Sequence, residues 1–173
     1  NKNALFIACF TKNAEMVRFL LENGADVNKR GFLGKFPIHH AAMSDNVEIV
    51  KMVINAGADP KATDTNGIPP TFSALCSVNN RYEIISLLFE AGISPNAVDP
   101  RTNSTILNSL FLEPNPGEKD LLLIKLALEK GANLNQKSKT GFSLYQLAMD
   151  CSDIKIKNVI ECFLKEHPEI KII

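Results

Sequence analysis

The sequence predicts an all-α solenoid of stacked helix-turn-helix units with hairpin-like loops between them. Three observations carry that expectation. The segment Gly24-Ala25-Asp26-Val27-Asn28 returns as Gly57-Ala58-Asp59-Pro60-Lys61, as Gly92-Ile93-Ser94-Pro95-Asn96 and as Gly131-Ala132-Asn133-Leu134-Asn135. A second column of glycine or asparagine opens each unit at Asn1, Gly34, Gly67, Asn103 and Gly141. Between the two columns, apolar residues recur at helical spacing. Repetition at this period marks small supersecondary units that bury by stacking what one unit cannot bury alone.

Each opening position is followed by a short helix, expected at residues 5–9, 38–43, 71–76, 107–112 and 145–149. Pro37 and Pro70 fall in the first turn, where a missing N–H costs no hydrogen bond. A small residue recurs at Ala8, Ala41, Ala74 and Ala148, which lets neighbouring helices approach closely. Leu110 occupies that place in the fourth unit and predicts looser or shifted packing. A second helix follows, with Met16, Val17, Phe19, Leu20 and Leu21 at i, i+3, i+4 spacing in the first unit. Matching runs occur at 49–54, 84–89, 121–128 and 159–164. Gly24, Gly57, Gly92 and Gly131 then close the units where a helix C-terminus requires a left-handed cap, with His167 standing in for the fifth.

From the small residue to the closing glycine is 16 residues in the first two units, 18 in the third and 21 in the fourth. The extra residues are expected in the helix–helix links, around 78–81 and at 112–120. Two prolines and a glycine make the latter a protruding loop.

The chain has 173 residues, 45% of them hydrophobic and 22% charged, enough to bury a core. Its formal net charge is zero, which argues against the basic footprint of a nucleic-acid binder. Lys/Arg outnumber Asp/Glu by 8 to 6 in residues 1–63 and 9 to 7 in 119–173, but are outnumbered 2 to 6 in 64–118, so the middle is mildly acidic. No apolar run approaches the ~18 residues that span a bilayer, so no membrane partner is expected. Cys9, Cys76, Cys151 and Cys162 share no C-x-x-C spacing and predict reduced, mostly buried thiols in a cytoplasmic setting. The 17 Asn, 16 Ile and 15 Lys suggest an AT-rich genome, and with it a secreted bacterial effector in host cytoplasm as an alternative.

The unit of turn, short helix, tight link, longer helix, glycine cap and extended loop resembles the ankyrin repeat. The family's T-P-L-H-x-A-A signature is best matched by Phe36-Pro37-Ile38-His39-His40-Ala41-Ala42, and its G-A-D-V-N motif is complete at residues 24–28. The resemblance covers the whole chain as a single domain over 1–173, with repeats at 1–33, 34–66, 67–102, 103–140 and 141–173. Phe36 replaces the signature threonine. Phe6, Phe72, Asn108 and Gln146 replace its histidine, and the last two repeats are degenerate. These two are expected to unfold first. The first repeat presents Leu5, Phe6 and Ile7 with no helix before them, which predicts an upstream segment. The fifth is partly polar-capped by Lys155, Lys157 and Glu161.

The resemblance implies recognition of a protein partner by loop tips and by the exposed side of the first helices, without catalysis; the alternative is a targeting or regulatory domain of a larger enzyme. Carried over by position, the tips are 29–35, 62–66, 98–102 and 136–140. The exposed first-helix positions are Ile7, Phe10 and Thr11, then His40, Met43 and Ser44, then Ser73, Cys76 and Ser77. In the last two repeats they are Ser109, Leu112, Glu113, Leu147, Asp150 and Cys151. The candidate contact residues are Ile7, Phe10, Lys29, Arg30, Phe32, Leu33, Lys35, His40, Met43 and Cys76. The tip is the most informative part, because Phe32 and Leu33 are large apolar residues among cations in a turn, the anatomy of an interface core with a charged rim. Two readings are open for them: contact with a partner, or folding onto the neighbouring tip to cover local core. His39 matches the signature histidine and is expected to bond the local turn. No phosphate-cradling, dinucleotide, nucleophile-elbow or H-E-x-x-H motif occurs, so no cofactor, metal or small-molecule substrate is expected.

Overall fold

A computed structural model describes residues 4–173. Asn1, the first opening position, lies outside the described residues. Ten α-helices form among them, with two isolated β-bridges and no longer strand. The chain divides into two compact units, residues 1–93 and 94–173.

The first unit holds α1 (Ala4–Phe10), α2 (Ala14–Glu22), α3 (Pro37–Met43), α4 (Val47–Asn55), α5 (Pro70–Ala74) and α6 (Arg81–Glu90). Consecutive helices pair, and each pair stacks on the next: α1 on α3 on α5 in one layer, α2 on α4 on α6 in the other. The second unit holds α7 (Ile106–Phe111), α8 (Glu118–Glu129), α9 (Leu144–Asp150) and α10 (Ile154–Glu166), with α7 against α9 and α8 against α10. This is the helix-pair solenoid that the periodicity predicts. Ala41, Ala74, Ala148 and also Leu110 are fully buried at the small-residue position.

The closing glycines do what their column predicts. Gly24, Gly57, Gly92 and Gly131 have φ between 76° and 100°. In each case the glycine N–H donates to a carbonyl three residues back and the next N–H to one five back, as in Gly57 to Ile54 (2.9 Å) and Ala58 to Val53 (3.2 Å). That double bond is the Schellman motif, which satisfies carbonyls left over at a helix end. His167 differs. Its φ is −126°, so it ends α10 without a left-handed residue, and its ring packs 4.4 Å from that of Phe163.

Helix starts explain the departures from the signature. The ring Nδ1 of His39 accepts from the Phe36 amide (3.2 Å) and its Nε2 donates to the Ile68 carbonyl (3.0 Å). Asn108 accepts from the Thr105 amide (2.7 Å), and Gln146 from the Ser143 amide (2.9 Å). Three different side chains at the third helical position therefore satisfy the same N–H, that of the N-cap residue.

The links carry the length differences. α1–α2 and α3–α4 are joined by residues 11–13 and 44–46, whereas 75–80 and 112–117 join α5–α6 and α7–α8. Residues 118–120, expected in the loop, already belong to α8. In the 44–46 link, Asp45 (φ 57°) accepts from the amides of Asn79 (3.2 Å) and Asn80 (2.9 Å), so one link anchors the next.

The thiols depart from expectation. Cys9 is buried, and burial pushes its pKa up to about 12, but Cys76 and Cys162 are exposed and Cys151 is half-buried. None of the four is in a disulfide. Cys162 lies on the exposed side of α10 and Cys76 in the 75–80 link, where no neighbouring helix covers it.

Candidate partner-binding surface

The tip at residues 29–35 is built on a short 3-10 turn, Phe32–Gly34. The Gly31 amide donates to the Lys35 carbonyl at 2.8 Å and closes it. Gly31 lies against α1: a Cβ placed there would fall 2.2 Å from the Phe6 ring, so only glycine lets the tip settle on that ring. Leu33 adopts φ 57°, ψ 26°, a left-handed conformation that costs a branched side chain about 1–2 kcal/mol. Its carbonyl is held from the next tip by the Thr65 amide (3.2 Å) and hydroxyl (2.9 Å). The Arg30 guanidinium stands 4.9 Å above the Phe36 ring, a cation–π contact that restrains its long side chain. The turn is fixed from four sides, yet Phe32 is 74% exposed and Leu33 55%. Local core burial is therefore not what these two side chains do.

Beside the tip, α1 presents Phe10, 58% exposed, and Ile7, 40% exposed. Lys29, Arg30 and Cys76 are also exposed, while Lys35 and Met43 are half-buried. His40 is not on the surface. It is only 6% exposed, because the rings of Phe6 (4.1 Å between centroids) and Phe10 (5.5 Å) meet it edge-on and cover it. It is the floor beneath Phe10 and not a contact residue. Burial first, then the charge of Lys35 and the neighbouring His39, push its pKa down to about 4, so its ring is neutral at ordinary pH. Both of its ring nitrogens are buried without a hydrogen-bond partner. Burial likewise lowers the pKa of His39, against its bonds to Ile68 and Phe36. Ser44, Ser73 and Ser77, expected at exposed first-helix positions, are buried too. Ser44 donates to Ala41 (2.7 Å) and Ser77 to Ala42 (3.0 Å).

Sequence reasoning gave Phe6, Phe36 and Thr65 no part in positioning the tip. Phe6 and Phe36 stood out only as aromatic residues at the signature-histidine and signature-threonine positions, and Thr65 only as part of the neighbouring tip. The arrangement offers an apolar centre with cations around it. Among the described residues no His, Cys, Asp and Glu side chains cluster to hold a metal, and no helix is long and apolar enough to cross a membrane.

Comparison with known proteins bears on the repeats themselves. A family model described as ankyrin repeats in three copies matches residues 5–99. The inactive serine/threonine-protein kinase TEX14 of Bos taurus is 36% identical over 84 residues, 49% of this chain and 6% of the relative. Tyrosine-protein kinase HTK16 of Hydra vulgaris is 26% identical over 171 residues, 97% of this chain and 22% of the relative. Ankyrin repeat and SOCS box protein 3 of Homo sapiens is 33% identical over 90 residues, 49% of this chain and 17% of the relative. The chain thus spans less than a quarter of the length of these relatives.

Proposed function

This chain belongs to the ankyrin-repeat family, whose repeats are generally protein-interaction modules, and we propose that it binds a partner protein through the tip of residues 29–35 together with α1. The observation that carries the proposal is the pair Phe32 and Leu33. They are exposed on a backbone that is strained and tied down, next to exposed Ile7 and Phe10. Rigid apolar anchors at the centre of a patch supply most of the energy of an interface, and a pre-ordered loop loses little entropy on binding. Lys29, Arg30 and Lys35 form the rim, with Met43 and Cys76 at its edge.

The test compares capture and affinity for the wild type and for Phe32→Ser/Leu33→Ser, with a thermal melt of each. Binding should weaken by more than about 1 kcal/mol with little change in the melt, because both side chains are largely in water. Unchanged affinity together with a large loss of stability would reject the proposal.

A second reading is that the module serves a longer chain as its recognition segment. Relatives named as kinases, and the longer palmitoyltransferase AKR1 of Kluyveromyces lactis, support it, since this chain spans only a small part of each. Sequencing the whole gene tests this reading, and a gene ending with the present residues would dismiss it.

A further inference from the structure

The long α7–α8 link builds one wall of a groove of about 450 Å³, lined by Phe111, Leu112, Glu113 and Pro114 on that wall and by Leu147 and residues 150–153 on the other. We propose that this groove is a second recognition site, taking a protein segment in which a lysine or arginine adjoins an aliphatic or aromatic residue. It shares no residue with the tip surface, and it stands independently of the function proposed for that tip.

Three features argue for the occupant. The lining holds no lysine or arginine, and Asp150 and Asp153 supply the negative charge that faces an occupant, Glu113 beside them being engaged within the protein. The Asp153 carboxylate is held in place, because its Oδ1 accepts from the Lys155 amide at 2.7 Å as the N-cap of α10. Between the charges the surface is apolar: Phe111 is buried as floor, Pro114 and Leu147 form sides, and Leu112 stands at the lip 70% exposed. The half-buried Cys151 thiol donates to the Ala148 carbonyl at 2.9 Å.

Lysine and arginine lay their methylene stems on apolar surface while keeping the charged head against carboxylates or water, and this groove offers both at once. Its size falls within the ~300–1,000 Å³ of ordinary ligand sites. A free amine would meet the carboxylates but leave Leu112 in water. An extended segment covers Leu112 with the neighbour of its cation, which is why the occupant is a protein segment. The insertion that lengthens the fourth repeat thereby acquires a purpose, since Leu112 to Pro114 lie within it.

The experiment selects a random peptide library on the whole chain. Enriched peptides are then measured by fluorescence anisotropy against the wild type, Leu112→Ser, Asp150→Lys and Phe32→Ser/Leu33→Ser. Leu112 and Asp150 are exposed, and a thermal melt checks that their variants stay folded. A cationic, apolar class should emerge that loses about tenfold or more in affinity on each groove substitution, is unaffected by the tip substitutions, and weakens as salt rises. The proposal is overturned if no enriched peptide responds to Leu112→Ser and Asp150→Lys, or if those that respond lack lysine and arginine. Competition by N-acetyl-lysine methylamide at the affinity of the peptide itself would show a small-cation site and overturn it as well. So would Leu112-dependent self-association in sedimentation, which would make the occupant a second copy.

Discussion

The side-chain amide of Asn28 donates to the carbonyl of Gly57 at 2.9 Å, and the oxygen of the same carboxamide accepts from the Asp59 amide at 2.8 Å. One side chain thus bridges two closing segments through both of its polar ends. Asn96 does the same with Gly131 (2.9 Å) and Asn133 (2.7 Å), and Asn135 with Lys171 (2.8 Å) and Ile173 (2.9 Å). Lys61 stands at the matching place in the second repeat, and an ammonium group has no acceptor. Asn28→Ala should therefore lower stability by about 1 kcal/mol, and Lys61→Asn should raise it by a similar amount, in guanidinium melts. Two silent substitutions would mean that water replaces the bridge at no cost.

Gly57 and Gly34 separate backbone strain from steric contact. Both have positive φ, but a Cβ on Gly57 would meet nothing within 4 Å, whereas one on Gly34 would lie 2.5 Å from Thr65 Cγ2. Gly57→Ala should cost about 1–2 kcal/mol, the strain alone, and Gly34→Ala should cost more. Adding Thr65→Ser removes the offending methyl and should recover part of the Gly34→Ala loss, measured as a double-mutant cycle. Equal costs for the two alanines would contradict the contact.

His40 gives the fold an acid-side weakness. A free histidine takes up its proton near 6.5, whereas His40 in the fold does so at about 4. Between those values the unfolded chain binds more protons, so the stability that is whole above pH 6.5 falls as the pH drops and stops falling near 4. By pH 5 the loss should be on the order of 2 kcal/mol, with His39 adding in the same direction. His40→Phe should flatten that slope in melts taken from pH 7 to pH 5. An unchanged slope would assign the titration elsewhere. Because the ring is neutral at ordinary pH, affinity at the tip should be flat from roughly pH 6 to 8.

The columns of glycine were readable because φ is a local property: Gly24, Gly34, Gly57, Gly67, Gly92, Gly131 and Gly141 all have the positive φ their places require, and so does Asn103. The short first helices were readable to within two residues, whereas α6, α8 and α10 begin three to five residues before the apolar runs that announced them, because charged residues interrupt the apolar signal in their first turns. The burial of His40 was not readable, because it depends on where Phe6 and Phe10, a whole repeat away, lay their rings. Substitution of the signature histidine by Asn108 or Gln146 looked like decay, yet each still accepts its N-cap amide, a function that side-chain class does not reveal. The tip was legible in its residues and not in its mechanics: nothing in the sequence announces that Thr65 holds Leu33, or that Phe6 needs a glycine opposite.

Leu33 combines a left-handed backbone with a side chain that is mostly in solvent. For folding alone that is a poor choice, since Leu33→Gly would release about 1 kcal/mol of strain and give up little burial. The variant should melt higher and recognise its partner worse. A protein that becomes sturdier as it becomes less useful has at that position a residue whose presence assembly of the fold does not account for.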